Sequence, residues 1–179
     1  RQTLEKAKAY HDAWAAFEKG ETKTAPQYDP IFADFRGLFK REFIVSVHTQ
    51  IYQVVMTTVD MLAKKMNLRT VIDHGEFDGF KTAPMVLDTD TYAINGPRGY
   101  WFDWSGRKML GLATSWWGKG VRKIGINTDA PVIPEEQLSY QAAMGCWYGW
   151  KPYPALCGVT RIPAEALMID HRVGSLEPG

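Results

Sequence analysis

Short apolar runs punctuate this chain, and between them apolar residues fall at helical spacing. Residues 43–47, 70–72 and 121–127 are rich in β-branched and aliphatic side chains and predict strands. A further strand falls at either 85–87 or 91–94 and is broken by Gly96-Pro97. Leu4, Ala7, Tyr10, Trp14 and Phe17 line one face of a predicted first helix, with Gly20 as its stop. A loop over 20–30 and a second helical piece over 31–40 follow. Val55, Val59, Leu62 and Met66 fall at i, i+4, i+7 and i+11, the stripe of a helix that covers a sheet. A short helix or turn spans 77–83. Met109/Leu110, Ala113 and Trp116/Trp117 mark another helix, capped by Ser105 and ended at Gly118 or Gly120. Pro134, Glu135 and Glu136 open the next, with acid residues where the helix dipole favours them. Ala142, Ala143 and Gly145 allow that helix to pack closely, and a last helix starts at Pro163.

Helices and strands alternate, so the pattern predicts parallel βαβ units. Three residues with ligand chemistry sit at strand ends: His48, His74 and Asp129. Their spacing approximates one and then two strand–helix units of roughly 30 residues, the frame of a (β/α)8 barrel, whose chemistry sits at the C-terminal strand ends. Only four strands are legible and a closed barrel needs eight. The expected fold is therefore a partial TIM barrel of about four units, with open sheet edges that need a partner. Two imidazoles and a carboxylate are a ligand set for Zn, Fe or Ni.

Composition narrows the classes. The chain has 179 residues and is 45% hydrophobic, enough for one core-bearing domain over 1–179. A formal net charge of +1 and the absence of any basic run argue against nucleic acid. No apolar run approaches the length of a membrane span. Cys146 and Cys157 form no Cys-x-x-Cys motif and read as small buried hydrophobes. The chain opens inside a charged helical pattern with no leader features, so localisation is open, cytoplasmic by default.

Each candidate has a plainer reading. Taken alone, His48 is as well explained as a core histidine, His74 as a turn residue beside Gly75, and Asp129 as an Asx turn before Pro131. Their shared face in one repeating frame favours a site. Gln50 follows His48 and is placed to line a pocket. Glu76 is positioned to face the site, although a solvated loop carboxylate is the simpler reading. Arg98 and Tyr100, in the Gly-Pro loop after the third strand, are candidates for holding a substrate carboxylate or ring. His11 and His171 read as surface residues.

Beyond these strand ends, Asn127-Thr128-Asp129-Ala130-Pro131-Val132-Ile133-Pro134, Gln141-Ala142-Ala143-Met144 with Tyr148-Gly149, Thr160–Leu167 and Arg172–Gly179 resemble the amidohydrolase superfamily, in particular its imidazolonepropionase-like members. The resemblance runs from about residue 40 to the end. It implies that His48 ends strand five, His74 strand six and Asp129 strand eight. It also implies that these residues bind a metal or its activated water, with Asp129 moving the proton. Two departures stand out. Ile162 occupies a position usually held by Asn, which weakens a helix cap. The family's strand-one His-x-His, its strand-four bridging residue and its β-sandwich domain have no counterpart here.

The resemblance thus implies the C-terminal half of a metal-dependent hydrolase of C–N bonds (amide, cyclic amide or amidine) acting on a small molecule. Asp129 and His74 would be catalytic, and His48, His74 and Asp129 the metal residues. The expected metal is Zn, with Fe or Ni as alternatives and one or two ions. Arg98, Tyr100, Gln50 and Glu76 are the substrate candidates. The missing half would be covalent or a separate chain, with homo-oligomerisation as a further route to cover the edges, and the fragment by itself is expected to be inactive. The alternatives are a non-catalytic binding or scaffold protein on a degenerate barrel, and a deaminase or dipeptidase of the same superfamily.

Overall fold

β-Branched residues at 70–72 and the Thr-Tyr-Ala-Ile run at 91–94 build the two central strands of a four-stranded parallel sheet. A computed structural model describes residues 1–178. The sheet order is β1 (Val45–Thr49), β2 (Thr70–His74), β3 (Thr91–Asn95) and β6 (Ile124–Ile126). Its register sets His48 opposite Asp73, Thr49 opposite His74, His74 opposite Asn95 and Asn95 opposite Ile126. The predicted ligand strands therefore end level with one another. Among the described residues no strand pairs with the outer edge of β1 or of β6.

α4 (Tyr52–Thr58), continued through wider π turns over Val59–Lys65, joins β1 to β2. Its predicted stripe is buried: Val55 and Val59 completely, Leu62 and Met66 nearly so. α6 (Leu112–Gly118) leads into β6 and buries Trp116 against Val59, Ile72, Ala93 and Ile124 in the main core. Val71 and Tyr92 alternate with those positions and so face the other way. There they pack with Ala166 in a smaller cluster, with Ile94 and Ile162 against it. α1 (Gln2–Glu18) lies on α2 (Pro30–Ala33) and α3 (Phe35–Phe39) ahead of the sheet. Asp29 caps α2 by accepting from the Ile31 amide at 2.8 Å.

Several expectations change. Of the two candidates for the third strand, 91–94 is the one that forms, as β3; of 85–87, Met85 and Val86 lie in the short helix α5 (Ala83–Val86), with Pro84 in its first turn, where proline is tolerated. Met109 and Leu110 are not helical. They belong to β5 (Lys108–Gly111), which pairs antiparallel with β4 (Tyr100–Asp103). Ser105 accordingly lies in the hairpin turn and caps nothing; its amide donates to Asp103 at 3.0 Å. Between α7 (Leu138–Trp147), which a 3-10 turn over Glu135–Gln137 introduces, and α9 (Arg161–Ala166), an unexpected α8 (Pro152–Gly158) starts on Pro152. His11 is half-buried, stacked on Phe39 at 5.4 Å, and burial pushes its imidazole below the ordinary value. His171 is exposed, and Cys146 and Cys157 are free and half-buried. The four parallel strands with helices in the crossovers are compatible with part of a barrel. No described helix is long and apolar enough to cross a membrane.

Candidate functional site

Adjacent parallel strands bring His48 and His74 together. His48 Nδ1 and His74 Nε2 are 2.9 Å apart, and the rings meet edge to face with centroids 4.4 Å apart. His48 is exposed on β1, whereas His74 is 1% exposed. The other nitrogen of His74, Nδ1, bonds the Gly96 carbonyl. A carbonyl only accepts, so Nδ1 carries the proton. In neutral His74, Nε2 is then bare, His48 Nδ1–H donates to it, and His48 Nε2 is left bare as well.

The turn around His74 is held from several sides. Asn95 Nδ2 donates to the His74 carbonyl at 2.9 Å. His74, Gly75 and Phe77 all have positive φ, +78°, +53° and +51°. Such backbone is unfavourable for a non-glycine residue and is kept only where the surroundings fix it. This curl turns Glu76 inward. Glu76 is 2% exposed, so it is no solvated loop carboxylate. Its Oε1 accepts from the Arg98 amide at 2.8 Å. Burial pushes the Glu76 carboxyl above its ordinary value; the Arg98 amide and charge and nearby His74 pull it back, while Asp129 adds to the rise.

Asp129 follows β6, with φ +50°. It lines a cleft of about 590 Å³ together with Gln50, Glu76, Arg98 and Tyr100. The structure thus gathers the sequence-nominated residues as an imidazole pair and a cleft containing the other five. It does not gather His48, His74 and Asp129 as a triad: among the described residues, no three of His, Cys, Asp and Glu are placed to hold a metal. A tetrahedral Zn with bonds of about 2.05 Å separates two ligand nitrogens by about 3.3 Å. The histidine pair, at 2.9 Å, fits two corners of such a sphere after a small opening.

Two further residues matter that sequence reasoning did not single out. Asn127 Nδ2 donates to Asp73 Oδ1 at 2.7 Å and to the Ile94 carbonyl at 3.3 Å, tying β6 across β3 to β2. Gln141 is 7% exposed on α7 and lines the cleft. Its signal was a long polar side chain immediately before Ala142 on the buried side of that helix.

No protein-family model matches the chain, and no curated protein does. The chain is similar to the crystal structure of an amidohydrolase from Thermotoga maritima MSB8, with TM-score 0.77 and 24% identity over 100% of this chain and 46% of that one. It therefore spans about half the length of that structure. At this identity the likeness is one of fold, which in this chain is a mixed α/β architecture around a four-stranded parallel sheet.

Proposed function

We propose that the chain is the C-terminal half-barrel of a metal-dependent amidohydrolase that cleaves a C–N bond of an amide or cyclic amide. The observation that carries this reading is the His48–His74 pair at the C-terminal ends of neighbouring parallel strands, beside a cleft containing Asp129. The fold shared with an amidohydrolase supports it. So does the length relation, which leaves room in such a protein for the remaining ligands and for strands to cover β1 and β6.

In this reading the two facing nitrogens, His48 Nδ1 and His74 Nε2, would be two metal donors once the proton between them has moved to His48 Nε2, with Zn the expected ion and Fe or Ni the alternatives. A divalent cation held there supplies Lewis acidity and lowers the pKa of a bound water. The Gly96 carbonyl keeps the Nδ1 proton on His74, so its Nε2, which faces His48 Nδ1, is the nitrogen left for a metal. Asp129 takes the proton of the attacking water and returns it to the leaving nitrogen. Glu76 holds the Arg98 backbone, fixing the loop that forms one wall of the cleft.

The test is metal analysis and hydrolysis by the full-length protein carrying this chain, over a panel of amides and cyclic amides. Tightly bound Zn that falls in both His48→Ala and His74→Ala, with loss of hydrolysis, is the expected result. Metal content unchanged by both substitutions would overturn the reading. The absence of a third donor among the described residues favours a second one, a non-catalytic binding protein on the same fold; that protein would bind ligand in the cleft with neither metal nor turnover. Turnover of aminated rings or of dipeptides in the same panel would instead identify a deaminase or a dipeptidase.

A further inference from the structure

The β4–β5 hairpin has two apolar faces, and the fold uses one of them. Trp101 and Leu110 stand opposite one another in the register and share the inner face. There Trp101 meets Phe77 edge to face at 4.8 Å, and Leu110 packs against the main core. Tyr100, Phe102 and Met109 alternate with these positions and so lie on the outer face. At its base Tyr100 is tilted on Tyr148, with ring centroids 5.8 Å apart. Further out Trp104 folds from the turn onto Phe102, edge to face at 4.8 Å. Even so, Trp104 is 74% exposed, Tyr100 44% and Met109 42%. Three aromatic rings and a thioether thus form one patch that ends in an exposed turn, the kind of surface that marks an interaction site.

The turn adds positive charge. Arg107 and Lys108 are both exposed. Asp103, opposite Lys108, is the one carboxylate of the hairpin, and its Oδ1 accepts from the Ser105 amide at 3.0 Å. The tip therefore carries a surplus cation beside an exposed indole. That combination suits the boundary of a bilayer, where Trp and Tyr settle at headgroup level and Lys or Arg meets anionic phosphates. Long basic side chains reach back to the phosphates while the apolar ones go deeper. With four residues in each strand, the hairpin is roughly 13 Å long at about 3.3 Å per residue. Apolar faces that lie in this boundary enter it by roughly 5–10 Å, so Trp104 can reach it while Trp101 and Leu110 stay in the protein.

We propose that the outer face of this hairpin docks on an anionic lipid bilayer, with Trp104 and Met109 entering at headgroup level and Arg107 and Lys108 meeting the lipid phosphates. This is attachment to a surface and needs no spanning helix. Tyr100 also lines the cleft, so the docked hairpin sets the cleft beside the lipid. The inference is independent of the hydrolase reading.

The experiment is co-sedimentation of the full-length protein with vesicles of phosphatidylcholine alone and of phosphatidylcholine with phosphatidylglycerol at about three to one. Binding to the anionic vesicles is expected to be about tenfold or more tighter than to the neutral ones, the scale of two cations near a charged surface. Trp104→Ser combined with Met109→Ser should weaken it by about tenfold or more, and Arg107→Gln combined with Lys108→Gln should remove the anionic preference. All four side chains are exposed, so the variants are expected to fold, which circular dichroism checks. Tyr153→Ser, exposed on α8, should change nothing. Failure to sediment with either vesicle, equal binding to both, or binding that survives the Trp104 and Met109 changes would each overturn the proposal. So would a dimer, seen by light scattering, that dissociates in Trp104→Ser, because it would assign the face to a second copy.

Discussion

The indole of Trp116 donates to the carbonyl of Gly75 at 3.0 Å, tying the core of α6 to the turn that follows His74. Trp116 is fully buried, so this bond is shielded from water. Trp116→Phe keeps most of the packing but leaves the Gly75 carbonyl without its donor. The expected cost is about 2–3 kcal/mol, from the lost bond and the small void together. Urea unfolding measures it; an unchanged midpoint would show that the turn does not depend on the indole.

Gly96 accepts the His74 Nδ1 proton and has φ +139°. A Cβ there would lie 2.0 Å from the Asn127 carbonyl oxygen. Gly96→Ala should therefore cost roughly 3 kcal/mol or more, because the backbone region and the space both exclude a side chain. It should also release His74 from its single tautomer, read as a change in the imidazole nitrogen shifts by NMR.

Asn127 bridges strands through its side-chain amide. Asn127→Ala should lose about 1–3 kcal/mol, since the Asp73 carboxylate then loses a donor at 2.7 Å. In a double-mutant cycle with Asp73→Ala, the two effects should fall short of additivity by about 1 kcal/mol. Full additivity would mean that the pair is not coupled.

At the opposite end of the sheet Asp90 pairs with Arg41, Lys123 and, at 3.7 Å, Arg69. Burial pushes its carboxyl up, but the Lys123 hydrogen bond and the three cations outweigh this and hold it below its ordinary value of 3.8. The stability it contributes is complete above that value, where both folded and unfolded chains are ionised. It is lost as pH falls through the lower folded value. Asp90→Asn should cost roughly 2 kcal/mol at neutral pH, by leaving three cations uncompensated. It should also flatten the acid limb of a stability–pH profile below about 4. A parallel profile for the variant would contradict this linkage.

The strand ends were legible because β-branched runs stop abruptly at His48, His74 and Asn127, and parallel pairing preserves that order. The hairpin was not. Met109, Leu110, Ala113 and Trp116 fall at helical spacing by coincidence, since β5 passes straight into α6. The readable cue was the aromatic run Tyr100-Trp101-Phe102 followed by the turn residues Asp103 to Arg107. The burial of Glu76 was not legible, because it depends on positive φ at the flanking Gly75 and Phe77, and residue type predicts that only for glycine. Gln141 entered only as part of a family-like motif and was not nominated for the site, because a single polar residue beside small apolar ones resembles an exposed helix position until the hairpin packs near it.

The position of His48 on an edge strand has one more consequence. A strand added along the free side of β1 would run about 4.8 Å from the backbone that bears this imidazole. Such a strand would be a wall beside the exposed histidine, while His74 is already enclosed. In the amidohydrolase reading proposed above, covering that edge and closing the site around His48 would be one event.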